Sequence, residues 1–80
     1  MASFLLHHQH EAHECGVVFA SFKGHDSRLR HHPALATCAS GGHTIWWVVD
    51  AACEAEALEL LPFYVAQRAT ATQVSEVQIP

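Results

Sequence analysis

Hydrophobic and polar positions change their spacing within the first quarter of the chain. From Ser3 to His10 they alternate with a period of two, which predicts a β-strand. One face of that strand carries Phe4, Leu6, His8 and His10. Residues Glu11 to Lys23 follow the helical period and are typical of a helix that ends near Gly24. Its apolar stripe consists of Cys15, Val18, Phe19 and Phe22.

The middle of the chain contains the strongest local signal. Two extended runs, Leu35–Ser40 and His43–Val49, flank Gly41-Gly42. A Gly-Gly pair between extended runs predicts a hairpin with a two-residue primed turn, in which both central residues need positive φ. In that register Cys38 pairs with Ile45.

The last third of the chain predicts a second helix and a closing strand. Asp50 is expected to cap a helix over Ala51–Leu61, which Pro62 ends. Phe63–Arg68 is then a separate short turn, and Thr70–Ile79 is the fourth strand.

This order of elements, βαββαβ, predicts an α+β fold of the ferredoxin-like kind, formed by a single domain over residues 1–80. A right-handed crossover gives an antiparallel sheet of order 4-1-3-2 with both helices on one face. The third strand carries a tryptophan on each face, Trp46 and Trp47. Because one of them would lie on the open face, we expect a second copy to cover it. The expected assembly is a homodimer of the dimeric α/β barrel type.

Composition narrows the function. The formal net charge is −4, with only four Lys and Arg residues, so no electrostatic surface for nucleic acid or an anionic membrane is expected. The N-terminal apolar run is too short for a signal segment or a membrane span. Three cysteines fit a disulfide framework poorly and favour a reduced, cytoplasmic protein. Eight histidines in eighty residues are the unusual feature.

The predicted topology brings histidines and cysteines to one end of the sheet. The end of strand 1, the start of helix 1 and the hairpin meet there, and their candidate metal ligands are His8, His10, Cys15, Cys38 and His43. Mixed imidazole and thiolate ligands suit a transition metal ion such as zinc, nickel or copper. If Cys38 and His43 lie on the helix face, Cys15 joins them in a four-ligand site. If they lie on the open face, the site is at the dimer interface and Cys15 is only part of the core.

A resemblance to a known family points the same way. The order of elements, the glycine hairpin leading into an aromatic strand, and Val74-Ser75-Glu76-Val77 after Tyr64–Arg68 resemble the small nickel-binding ferredoxin-like domain family. The resemblance spans most of the chain and implies a metal-binding dimer of ferredoxin-like subunits. His7–Cys15 departs from that family's usual entry into the first helix, so its ligands are not carried over to this chain.

Two other functions fit the same pattern. One is a small dimeric α/β-barrel enzyme, monooxygenase- or isomerase-like, with a histidine base in an apolar pocket lined by Trp46 or Trp47; heme ligation is a variant of it. The other is a structural or partner-binding dimer without chemistry. The chain has no nucleophile elbow, phosphate loop or paired carboxylates, so no substrate is predicted.

Overall fold

Strand β1 (Ala2–Gln9) is the centre of the sheet. The computed structural model describes residues 1–80 and places β1 between β3 (Thr44–Ala51) and β4 (Ala69–Val74). The short strand β2 (Leu35–Ala36) forms the far edge beside β3. All pairs are antiparallel and the order is β2-β3-β1-β4, so the predicted sheet is confirmed.

The period-two pattern of β1 and β3 separates a buried face from an open one. Phe4 and Leu6 are buried on β1, and Trp47 and Val49 are buried on β3. Three helix residues complete the same core, namely Val18, Ala57 and Val65, together with Leu61 from the connection between the last two helices. By the same alternation His8 lies on this buried face, and it is completely inaccessible to solvent.

The first helix is shorter than the sequence predicts. A 3-10 turn over Ala12–Glu14 leads into α1 (Cys15–Ala20), and Gly24 with φ 78° lies beyond its end. Val18 of the predicted stripe is fully buried, whereas Phe19 is 54% exposed. The stripe is therefore only partly packed, because the side of α1 that carries Phe19 borders an open cavity.

The predicted two-residue hairpin turn is wrong. Ala36 pairs with Ile45, and the Thr37 amide donates to the Thr44 carbonyl at 3.0 Å, which leaves a six-residue loop over 38–43. Only Gly41 has the positive φ (83°) that a primed turn requires of both central residues. Gly42 instead packs against Thr37, whose Oγ1 would stand 2.2 Å from a Cβ at that position.

This correction moves Cys38 out of the strand. Cys38 does not pair with Ile45 but begins a 3-10 turn over Cys38–Ser40 within the loop, where it is exposed. The Thr37 hydroxyl accepts a hydrogen bond from the Thr44 amide at 3.1 Å and closes the base of this loop.

The second half contains two short helices. Helix α2 (Glu54–Glu59) begins after Cys53, because β3 continues through Ala51, so Asp50 is a strand residue and not the predicted cap. The Asp50 carboxylate accepts a hydrogen bond from the Ser3 hydroxyl at 2.9 Å. Helix α3 (Phe63–Ala66) follows Pro62, as predicted. Strand β4 ends at Val74, so the segment 75–79 is not part of the predicted strand.

The opposite face of the sheet is left uncovered by this chain. Leu35 and Val48 are 74% and 68% exposed there. His7 and Trp46 are neighbours on the same face, with tilted rings whose centroids are 5.7 Å apart. The sheet-to-sheet dimer stays a prediction, and this exposed apolar face is the surface through which the two copies would pair. None of the three helices has the length and apolar character to span a bilayer.

Candidate metal centre

Three side chains from separate parts of the chain converge beside the end of β1. The His10 amide donates to the His43 carbonyl at 3.1 Å and continues the pairing of β1 with β3, so these two residues stand opposite each other. Cys15 reaches them from the start of α1. Its Sγ lies 3.4 Å from His10 Nε2 and 3.2 Å from His43 Nδ1. One ligand atom from each residue lies within 4.8 Å of the others.

The position of Cys15 depends on a capping box just before it. The Glu14 side chain accepts a hydrogen bond from the Glu11 amide at 3.0 Å, and Glu11 caps the 3-10 turn in return. This reciprocal arrangement satisfies amides that a helix start leaves free. It fixes the angle at which α1 leaves the sheet, and therefore the direction from which the thiol approaches.

Glu14 also connects this turn to a distant part of the chain. Its Oε2 accepts a hydrogen bond from the Tyr64 hydroxyl and forms an ion pair with Arg68 Nε at 2.8 Å. Arg68 is itself held, because its guanidinium lies 3.9 Å from the centre of the Tyr64 ring. The start of α1 is thus attached to the segment between α3 and β4.

These contacts keep Glu14 ionised. The Tyr64 hydrogen bond, followed by the Glu11 amide, lowers the pKa of Glu14 from 4.5 to about 2; burial opposes the shift and the Arg68 charge adds to it. The same hydrogen bond raises the pKa of Tyr64. At neutral pH the carboxylate therefore remains a charged acceptor for both partners.

A chain of hydrogen bonds fixes the proton positions on the histidines. The Val65 carbonyl can only accept, so His8 Nδ1, 3.1 Å away, carries a proton and donates it. In a neutral ring His8 Nε2 must then accept, and its partner at 2.9 Å is His10 Nδ1. That assignment, made from hydrogen-bond geometry, leaves His10 Nε2 with a free lone pair directed at Cys15.

Burial supports the neutral form of His8. Desolvation is the main cause that lowers the pKa of His8, and the nearby His10 adds to it, while the Val65 carbonyl acts in the opposite direction. Because both ring nitrogens of neutral His8 are engaged, its role in the unliganded protein is to orient His10.

The two sulfur–nitrogen distances are compatible with tetrahedral coordination of one ion. With metal–sulfur and metal–nitrogen bonds of about 2.3 and 2.1 Å, neighbouring ligands on tetrahedral zinc stand roughly 3.3–3.6 Å apart. Both sulfur–nitrogen distances lie near that range, at 3.4 and 3.2 Å. Three protein ligands leave a fourth position for water or another small ligand. Cys15 and His43 are half-buried, so an ion can reach the group from solvent.

The structure brings together part of the predicted residue set. His10, Cys15 and His43 form one group on the helix face, which settles which of the two predicted faces His43 occupies. His8 adjoins the group through His10. The group does not include Cys38, which the longer hairpin loop carries into an exposed turn.

Sequence reasoning missed the joint role of Glu14 and Tyr64. The pair Glu11 and Glu14, three residues apart before an apolar stripe, is a capping-box spacing that could have identified the turn. The long-range bond to Tyr64 has no sequence signal, because the two residues are fifty positions apart.

Comparisons with protein-family models, with curated proteins and with solved structures gave no significant match to this chain. The candidate centre therefore rests on its own geometry. The resemblance to the nickel-binding ferredoxin-like family stays a prediction.

Proposed function

We propose that this protein binds a transition metal ion through His10 Nε2, Cys15 Sγ and His43 Nδ1. The observation that carries the proposal is that one ligand atom from each residue lies within 4.8 Å of the others, with Cys15 Sγ 3.4 Å from His10 Nε2 and 3.2 Å from His43 Nδ1. Two imidazole nitrogens and a thiolate are ligands that zinc, nickel and copper accept, whereas magnesium and calcium prefer oxygen.

His8 acts in this proposal as an outer partner of the ligand His10. Metal-ligating histidines commonly donate their second ring N–H to a neighbouring acceptor, which fixes the ring and raises its basicity. His8 Nε2 supplies that acceptor, and the Val65 carbonyl holds His8 in turn. This role differs from direct ligation by His8, which the sequence had suggested.

Zinc and nickel differ in the arrangement of ligands that they prefer. Zinc accepts three protein ligands and a water in tetrahedral geometry. The family resemblance favours nickel, which prefers a square-planar or tetragonal arrangement. Titration decides between the two metals.

Titration with each of the three metals tests the proposal. Tag-free protein is titrated in competition with a chromophoric chelator, and Cys15→Ser and His43→Ala are expected to lose most of the affinity. Cys38→Ser, in the exposed turn, and His13→Ala serve as matched controls that retain it. Failure of all three metals to bind, or equal binding by Cys15→Ser and the wild type, would contradict the proposal.

We also propose that two copies pair through the open sheet face. The support is the exposed apolar surface around Val48 and Leu35, and the Trp46–His7 pair beside it. The metal group lies on the opposite, helix-facing side of the sheet, so dimer formation and metal binding are independent in this arrangement.

One observation favours a second candidate function. The enzyme hypothesis predicts an apolar pocket lined by one of the tryptophans and a histidine, and a cavity lined by Trp47, His31 and His32 is present. In that case one of these histidines would act as the base. Loss of turnover in His31→Gln and His32→Gln, once a substrate is known, is the corresponding test.

A further inference from the structure

An open cavity separates α1 from the connection before β2. Its volume is about 450 Å³, within the range of small-molecule sites. The floor consists of Ile45 and Trp47, which are 2% and 7% exposed. Phe22 stands beside this floor, with its ring centroid 6.2 Å from that of Trp47. The exposed Phe19 forms part of the wall.

The mouth of this cavity has a different chemistry from its floor. Lys23, Arg30, His31 and His32 line the cavity and are all exposed. No acidic residue is among the lining residues, although the chain has eight Asp and Glu and a net charge of −4. Lys23 and Arg30, two of the four fixed positive charges of the chain, thus lie at the mouth of one apolar cavity.

We propose that this cavity binds an amphipathic carboxylate, a molecule with an anionic head and an apolar alkyl tail. The tail would lie on Ile45 and Trp47, and the head would stand between Lys23 and Arg30. A neutral apolar ligand would use the floor but gain nothing from the cationic mouth, and a cationic one would be repelled there. The site is separate from the His10–Cys15–His43 group and does not depend on it.

The direct test uses three probes with the same ten-carbon tail, namely decanoate, 1-decanol and decylammonium. Binding is followed by the fluorescence of Trp47 in a Trp46→Phe variant, because Trp46 lies on the opposite sheet face and would add an unrelated signal. Calorimetric titration of the wild type gives an independent value. All probes are used below their micellar concentrations.

Decanoate is expected to bind at least threefold more tightly than 1-decanol, with decylammonium weakest. Added salt should narrow the difference, because exposed charges are screened. Equal binding of all three probes, or no binding of decanoate, would overturn the proposal. Occupation of the cavity by a second copy of the chain, seen as a dimer that persists in a Val48→Lys variant and excludes decanoate, would overturn it as well.

Two variants separate the head from the tail. Lys23→Gln combined with Arg30→Gln should weaken decanoate binding about threefold to tenfold and leave 1-decanol unchanged, as expected for partly screened ion pairs. Arg28→Gln is the matched charge control, since Arg28 donates to the Asp50 carbonyl and does not line the cavity.

Ala36→Phe should fill the cavity from the edge strand and reduce binding of both probes more than tenfold. Its folding is verified by circular dichroism and by an unchanged melting temperature. A folded Ala36→Phe protein that binds decanoate as the wild type does would place the ligand elsewhere and overturn the proposal.

Discussion

The hydrogen-bond chain from Val65 to Cys15 makes a specific prediction for His8→Leu. Leucine fills the buried position but removes both ring nitrogens. The Val65 carbonyl keeps a partner, because it also accepts from the Arg68 amide at 3.0 Å. The group left without a partner is the Nδ1–H of His10, a residue that is only 6% exposed.

The expected magnitudes follow from that accounting. One buried donor without a partner costs about 1–3 kcal/mol of folding stability, and the apolar leucine offsets part of it. The loss in metal affinity should be about 10- to 100-fold, the usual effect of removing an outer partner of a histidine ligand. The variant should therefore fold and still bind metal, but more weakly.

The assay is chelator competition at fixed pH with zinc, combined with urea unfolding of the metal-free protein. His8→Gln is the conservative variant, since its amide oxygen can replace the Nε2 acceptor; the expected order of affinity is wild type, then His8→Gln, then His8→Leu. His7→Leu makes the same change on the neighbouring strand position, whose side chain contacts Trp46 on the open face, and should leave affinity unchanged. A folded His8→Leu protein with wild-type metal affinity would refute the assignment of proton positions. Equal losses of metal affinity in His8→Gln and His8→Leu would show a general packing effect instead.

Three further predictions concern other parts of the molecule. Because the pKa of Glu14 is about 2 in the folded protein and 4.5 without its partners, its contribution to stability is complete above pH 4.5 and is lost as the pH falls toward 2. In Glu14→Gln the melting temperature should therefore fall less over that interval than in the wild type, and an unchanged pH profile would contradict this. Metal affinity should increase as the pH is raised toward neutrality, by up to about tenfold per pH unit, because the thiol must lose its proton to bind. A competition titration that shows no pH dependence would exclude a thiolate ligand. Val48→Lys should shift sedimentation from dimer to monomer, whereas Phe63→Lys should not, because Phe63 is similarly exposed but lies on α3. A wild-type protein that sediments as a monomer would contradict the proposed assembly.

The sheet could be predicted from the sequence because its central strands alternate regularly. Phe4, Leu6 and His8 fall on one face at a period of two, and the structure buries all three. The pairing of β1 with β3 then places His10 opposite His43, which no local motif indicates. Convergence of the three candidate ligands was therefore accessible through topology alone.

The hairpin shows where local signals fail. Gly41-Gly42 fits a two-residue turn, but the Thr37 hydroxyl bonds to the Thr44 amide and selects a longer loop. This side-chain bond competes with the turn that the glycines favour. The register changes as a result, and Cys38 moves from a strand position into an exposed turn. A prediction that depends on one register cannot anticipate such a competing bond.

The proton positions explain how the three candidate ligands are held in place without an ion. If Cys15 donates its S–H to the free lone pair of His10 Nε2, then His43 Nδ1–H can donate to the sulfur, and every hydrogen bond in the chain runs in one direction toward the Val65 carbonyl. An entering ion would displace the thiol proton and require His43 to move its own proton from Nδ1 to Nε2, while His8 and His10 keep theirs. Because the backbone and both inner histidines are already in position, binding costs little reorganisation. The change of tautomer at His43 is the one proton shift within the rings. Nitrogen NMR should show the His43 proton on Nε2 after binding, whereas His8 and His10 keep theirs on Nδ1 and the shift of His10 Nε2 changes only because that atom binds the ion.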